Sequence, residues 1–305
     1  RLVESGPAAG ALAGSWFADR LGIDRLLCFD MGGTTAKACL IEHGEPELTN
    51  TFEVARAYRF KKGSGFPVSV PSVDLMEIGA GGGSLSRVDQ FGLMKVGPES
   101  AGAEPGPASY GRGGTEPAVT DADVVLGLLD PDAFLGGDMP LDKGLAESAV
   151  GAVGQSLGLT VLETAAGIHE IVNQNMAAAA RMHGVEMGVD LRGVPLIAFG
   201  GAGPVHACGV ADLLESDRVI FPVNASVLSA FGTLVSPVRI DLARSLPRPL
   251  STVDPSERDS LLEELRVEGR RVLSAAGVPD GAVRFRYGID ARYAARATRS
   301  PSGSA

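Results

Sequence analysis

The sequence predicts an α/β fold, and three stretches predict it. At residues 25–41 an apolar run enters Asp30, breaks at Gly32-Gly33-Thr34-Thr35, and turns apolar again. That is the pattern of a strand, a glycine turn and a second strand. At residues 195–214 the buried-strand run from Pro195 to Phe199 enters Gly200-Gly201-Ala202-Gly203-Pro204, and helical spacing follows. Between them, apolar residues recur three and four apart from Ala165 to Ala180, which marks a long helix with one core face.

Composition bounds the rest. The 305 residues suffice for one large domain or two lobes, and 45% of them are hydrophobic. Lys plus Arg is 27 against 37 for Asp plus Glu, a net charge of −10 with no basic stripe. This argues against nucleic acid as a partner but not against nucleotides, which backbone N–H groups and a metal hold. Cys28, Cys39 and Cys208 lie in apolar segments without metal spacing and read as buried free thiols of a reducing, cytoplasmic compartment. No run of 18 apolar residues occurs and no signal peptide is visible, so no membrane span is expected.

In chain order, Pro7 to Leu21 reads as a helix closed by Gly22. The turn after Asp30 offers bare N–H groups, two hydroxyls and a carboxylate at one spot, which suits a phosphate with its magnesium ion. An ordinary glycine hairpin is the alternative. Thr51 to Val54 reads as a strand, and Arg56, Arg59, Lys61 and Lys62 as a basic, solvated loop. Val73 to Ile78 reads as a strand feeding Gly79-Ala80-Gly81-Gly82-Gly83-Ser84, with a hairpin from Leu85 to Val96 after it. Ser84 occupies the sixth position of that run, so it is not G-x-G-x-x-G, and no P-loop motif exists anywhere.

Pro98 to Gly114 reads as a long functional loop. Thr120 or Asp121 is the expected N-cap of a helix reaching Leu129. The carboxylates of Asp121 and Asp123 suit either a metal or that capping role. Leu141 to Leu157 and Thr160 to Met187 read as helices, the second opened by a capping box of Thr160 and Glu163. His169 and His183 on it read as surface or core groups rather than ligands. His206 falls in the first turn of the helix after Gly203, where it is either functional or structural. Further expectations are strands at 218–221, 238–242 and 283–293, and helices at 226–235 and 255–276.

These segments together resemble the hydantoinase A/5-oxoprolinase family, which includes the nucleotide-binding subunits of acetone and acetophenone carboxylases. The matching motifs are SGPAAG (5–10), FDMGGTT (29–35), GAGGGS (79–84), VGPESAGAEPGP (96–107), YGRGG (110–114), VTDAD (119–123), FLGG (134–137) and FGGAGPVHA (199–207). They follow the family's order from Ser5 to about residue 245. The resemblance implies a ribonuclease-H-like lobe of the actin-like ATPase fold with inserted glycine-rich loops. In that pattern a second D-x-G-G-T loop belongs to an amino-terminal lobe. The motif occurs once here, so the expectation is a fragment lacking that lobe, inactive alone. The expected organisation is a catalytic domain over 1–245, the start of a helix–strand region over 246–294, and a tail over 295–305. The tail reads as frameshifted text, which resequencing the coding DNA would test.

The implied chemistry is ATP-dependent ring-opening of a cyclic amide, of hydantoin or 5-oxoproline type, through a phosphorylated carbonyl. ATP and Mg2+ are the implied cofactors and a hydantoinase-B-type subunit or domain the implied partner. Asp30 would hold the metal, and Gly32, Gly33, Thr34 and Thr35 the phosphates. Gly200, Gly201, Ala202, Gly203 and Pro204 would form the adenosine turn. Asp30, Asp121 and His206 are the catalytic candidates. Gly81, Gly82, Gly83, Ser84, Ser100, Gly102, Glu104 and Gly106 are the substrate-side candidates. An acetone- or acetophenone-type carboxylase and a non-catalytic actin-like structural protein are the alternatives. Three departures stand out: Lys37 where many relatives carry Asp, Glu104 where Asp is usual, and Ser109 where Cys is common.

Overall fold

A computed structural model describes residues 5–49, 52–54, 65–68 and 72–291. The basic loop from Arg56 to Lys62 and the tail from Ala295 lie outside the described residues. The chain divides into two compact units at Ser236/Pro237.

The first unit begins with α1 (Ser5–Leu21), then β1 (Arg25–Met31), β2 (Ala36–Glu42), β3 (Glu45–Pro46), β4 (Leu48–Thr49), β5 (Phe52–Val54), β6 (Phe66–Val68), β7 (Ser72–Val73), β8 (Met76–Ile78), β9 (Ser84–Val88) and β10 (Met94–Ser100). It continues through α2 (Val119–Val125), α3 (Lys143–Leu157), α4 (Val161–Met187), β11 (Leu196–Phe199), α5 (Gly203–Leu214), β12 (Val219–Ile220) and α6 (Leu228–Val235). The main sheet has the order β12-β11-β1-β2-β3, and β8 also pairs with β2. β1 runs parallel to β11, with Asp30 opposite Phe199, and antiparallel to β2, with Asp30 opposite Lys37.

β1 is central, so both of its faces are covered. Leu26 and Cys28 pack with Ala11, Ala13 and Phe199 on the α1 side. Leu27, Phe29 and Met31 pack with Ile168, Met176 and Val210 from α4 and α5 on the other. This is why the strand reads as a continuous apolar run rather than an alternation.

Small residues in α1 let it lie close to the sheet. A Cβ on Gly14 would sit 2.2 Å from Cys28 Sγ, and one on Gly10 would sit 2.6 Å from Phe199. α6 presses equally close, since a Cβ on Gly232 would overlap the Ala9 carbonyl. α4 opens with the expected capping box: Glu163 accepts from Thr160 N at 2.8 Å, and Thr160 Oγ1 accepts from Glu163 N at 3.2 Å.

Several expectations need correction. Neither Thr120 nor Asp121 is the N-cap of α2: Ala118 is, and Asp121, the third residue, caps the helix by accepting from Ala118 N at 2.8 Å. The helix ends at Val125, where Gly127 (φ 73°) leaves the helical region. The expected strand 73–78 is two short strands, β7 and β8, paired to β4 and β2 respectively. The long loop starts later than expected, because β10 continues to Ser100 beside β9. Cys28 and Cys39 are buried, but Cys208 is exposed, on the outer side of α5.

The second unit, from Pro237, is built on α7 (Pro255–Ala275), whose N-cap Asp254 accepts from Ser256 N at 2.8 Å. Residues 238–242 form no strand, nor do the described residues of 283–293. They alternate in polarity, but among the described residues no strand edge pairs with them; Leu242 and Phe285 instead flank Gly269 of α7. Among the described residues no single helix is long and apolar enough to cross a membrane.

Candidate nucleotide site and a buried carboxylate–imidazole cluster

Two glycine turns leave the carboxyl ends of the parallel neighbours β1 and β11, the edge where open α/β sheets bind ligands. The first turn is closed by Gly32 N donating to Thr35 O at 3.0 Å. Gly33 and Thr34 are exposed, and their N–H groups have no partner among the described residues. The second turn is tied to the first. Ala202 N donates to Met31 O at 2.9 Å, and Gly200 N donates to Ala225 O at 3.0 Å.

Gly200 has φ 86°, and a Cβ there would lie 2.4 Å from Met31 O and 2.5 Å from Asp30 Oδ1. Only glycine fits that place. Gly201 is exposed with open space where a Cβ would be, and Gly203-Pro204 starts α5, with Pro in its favoured first turn. Asp30 therefore stands between the two turns. Burial raises its pKa, and Lys37 opposite it on β2 pulls the other way. Lys37 Nζ lies 3.4 Å from Thr35 Oγ1 and 3.4 Å from Glu77 Oε1. Burial also pushes the Cys28 and Cys39 thiols far up, which disfavours the thiolate at both.

The glycine run at 79–84 docks onto the back of the phosphate-type turn. Gly82 N donates to Gly32 O at 3.0 Å and Gly83 N to Gly33 O at 2.6 Å. A Cβ on Gly81 would lie 2.6 Å from Gly33 O. Gly81 N is bound to Ser84 Oγ at 2.9 Å and Ser84 N to Gly81 O at 3.0 Å. The four N–H groups of Gly81 to Ser84 are thus spent inside the chain. Ser100 stands next to this wall: its Oγ would lie 2.8 Å from a Cβ on Gly83. Gly102 and Glu104 are exposed, whereas Gly106 is buried against Tyr110.

Thr120 fastens α2 to the same wall, through N to Gly82 O at 2.7 Å and Oγ1 to Gly82 O at 2.8 Å. The next two carboxylates on α2 point to different places. Asp121 is fully buried and accepts three backbone N–H groups, from Ser109 (2.7 Å), Ala118 (2.8 Å) and Ala108 (3.1 Å). It anchors the loop that carries Gly106 to Tyr110. Asp123 turns toward α4 and α5. Its Oδ1 lies 2.8 Å from His169 Nδ1 and its Oδ2 lies 3.3 Å from His206 Nε2.

His206 Nδ1 faces Asn173 Oδ1 at 2.9 Å, and the two imidazoles stack with centroids 4.6 Å apart. Burial pushes the Asp123 carboxyl up, but the two imidazoles more than offset this and hold it below the ordinary carboxylate range. The two carboxylates of α2 cannot share one ion, and Asp123 finds its ligand-type neighbours on other helices. Sequence reading missed Asp123 with His169. Its only signal was His169 and Asn173 four apart on one face of α4. His183 is buried in α4.

The fold and its glycine-lined edge describe an α/β unit with a candidate nucleotide site. The family model described as hydantoinase/oxoprolinase matches residues 1–242, and the chain belongs to that family. It is 37% identical over 295 residues to caprolactamase subunit alpha of Pseudomonas jessenii, covering 95% of this chain and 41% of that protein. It is 39% identical over 238 residues to the acetophenone carboxylase gamma subunit of Aromatoleum aromaticum, covering 77% of this chain and 31% of that protein. Its structure is similar to that of the ATP-dependent caprolactamase from Pseudomonas jessenii, with TM-score 0.70 and 37% identity, over 87% of this chain and 38% of that one. The chain thus spans well under half the length of these relatives.

Proposed function

We propose that this chain supplies the nucleotide-binding face of an ATP-dependent enzyme that hydrolyses a cyclic amide. The observation that carries the reading is Gly200. It sits where a Cβ would strike both Asp30 and Met31, so the two turns are held together around one carboxylate. Relatives named for a lactam hydrolase and the family's description support the substrate class. The strand order, with β1 flanked by parallel β11 and antiparallel β2, supports a ribonuclease-H-like lobe of the actin-like class.

The residues fit a magnesium–nucleotide. Asp30 offers hard carboxylate oxygens in a cradle that only glycine leaves open, and the exposed N–H groups of Gly33 and Thr34 are donors without partners among the described residues. When bound, ATP supplies the phosphoryl group that turns an amide carbonyl oxygen into a leaving group. The chain's own residues bind and orient. Gly33 and Thr34 donate to phosphate oxygens, the Thr34 and Thr35 hydroxyls lie beside them, and Asp30 holds the cation. Gly201 lets the nucleotide approach the backbone. Gly81 to Gly83 stiffen the turn from behind rather than binding substrate through N–H groups, and Asp121 positions the 106–110 loop. Ser100, Gly102 and Glu104 face the substrate side. Preorganised donors of this kind act by positioning and charge neutralisation. A hydantoinase-B-type subunit is the proposed partner, in line with relatives that are themselves subunits.

The acetophenone carboxylase relative favours a second reading, in which the same ATP chemistry serves carboxylation. The assembled enzyme, given ATP with 5-oxoproline, hydantoin or caprolactam, is expected to release ADP and the ring-opened acid. ADP release only with a ketone and bicarbonate would move the assignment to carboxylation.

A further inference from the structure

The cluster of Asp123, His169 and His206 lies between α2, α4 and α5, one helical turn behind Thr120 and its clasp on Gly82. It is not part of the glycine-lined edge, and its charges are poorly accounted for by pairing alone. The Asp123 side chain is 2% exposed. His169 Nδ1 can donate to Oδ1. His206 Nε2 approaches Oδ2 at 3.3 Å but has no hydrogen-bond partner there. Its Nδ1 is committed to Asn173 Oδ1, which only accepts, so in the neutral ring Nε2 carries a lone pair. That lone pair lies 3.3 Å from a carboxylate oxygen, without hydrogen-bond alignment, in a side chain with no solvent exposure. A neutral His206 would therefore set a buried lone pair against a buried carboxylate, an arrangement that a cation between them relieves.

We propose that Asp123, His169 and His206 form a binding site for a first-row divalent transition ion, with Zn2+ as the leading candidate. One donor atom from each residue falls in a group with all distances within 4.8 Å. A four-coordinate sphere with bonds of about 2.0–2.1 Å has edges of about 3.3 Å. The 2.8 Å approach is to Oδ1 and the 3.3 Å approach to Oδ2, so the carboxylate must turn to offer one oxygen between the two imidazoles. Two imidazoles and one carboxylate select a borderline ion over Mg2+. Asn173 supplies the outer contact that such ligands need, fixing the His206 tautomer and ring. Three protein ligands leave a fourth position for water, and His169, with its side chain 18% exposed, borders the way in. The ion would neutralise the carboxylate and lock three helices together behind the nucleotide turns. This site stands independently of the nucleotide reading.

The test uses the 305-residue chain, stripped with EDTA and titrated with Zn2+ or Co2+. Bound metal is counted after gel filtration, and the visible Co2+ absorption reports coordination number. One equivalent of metal is expected, with a four- or five-coordinate Co2+ spectrum. His169→Gln should weaken binding at least 100-fold, and Asn173→Ala about 10-fold. His43→Gln, at the exposed pair with Asp24, should change nothing. Circular dichroism checks that each variant is folded. His169 is the partly exposed ligand, so its variant remains informative if Asp123→Asn does not fold. No stoichiometric metal in the parent chain, or metal retained undiminished in folded His169→Gln, would overturn the proposal and leave a charged imidazole–carboxylate pair.

Discussion

The two polar regions of the first unit are built in opposite ways. The glycine-lined edge is made of backbone: the turns Gly32 to Thr35 and Gly200 to Gly203 meet there, Gly33 and Thr34 present N–H groups, and one side chain, Asp30, stands between the turns. The cluster behind it is made of side chains: Asp123, His169 and His206 converge from three helices, with Asp123 and His206 buried and His169 partly exposed. Backbone donors survive every substitution but proline, yet can be displaced by a single Cβ. Side-chain donors tolerate small shifts but vanish with one substitution. The two regions should therefore fail in different ways.

The largest effect is expected at Gly200. Gly200→Ala places a Cβ 2.4 Å from Met31 O at φ 86°, so the turn must move. Nucleotide affinity should fall at least 100-fold by calorimetry, with a stability loss of about 1–3 kcal/mol from the strained backbone. Unchanged affinity would remove the shared-carboxylate geometry from the account.

Next comes Asp121→Asn. Three N–H groups converge on its carboxylate, and an amide turns an NH2 group toward some of them. A loss of about 2–4 kcal/mol in denaturant unfolding is expected, with nucleotide affinity changed less than threefold. A large affinity loss without destabilisation would make Asp121 a binding residue instead.

Asp30→Asn separates function from stability. Its folded pKa is raised by burial, so the folded state holds its proton to higher pH than the unfolded chain. Stability from this group is present below the unfolded pKa and falls as pH rises through the folded value. At neutral pH the amide should raise the melting temperature of the ligand-free chain slightly and erase any Mg2+-dependent nucleotide binding. A lower melting temperature at pH 7 would contradict the sign.

The smallest effect is Thr120→Val, which removes the bond from Oγ1 to Gly82 O and keeps the shape. A loss of about 1 kcal/mol is expected, and a thermal melt measures it.

What the sequence disclosed follows the same division. Asp30, its turn and the Gly200 turn were legible because each is local: a strand, a breaker and a second element in one short stretch. The role of the 79–84 glycines was not, because Gly81 needs no Cβ only on account of Gly33, far away in sequence. Asp121 and Asp123 are two residues apart and read as a pair, yet one turns to the 108–109 backbone and the other to α4 and α5. No spacing rule joins Asp123 to His169 and His206; only the packing of three helices does. The strands expected at 238–242 and 283–293 failed for a related reason. Alternating polarity predicts a half-buried strand only where a sheet edge pairs with it.

Equilibrium binding of Mg2+·ATP to this chain tests the account most directly, with Gly200→Ala and Asp30→Asn measured beside it. The account predicts one saturable site per chain that both substitutions abolish. No binding by the parent chain, or binding that both folded variants retain, would contradict it.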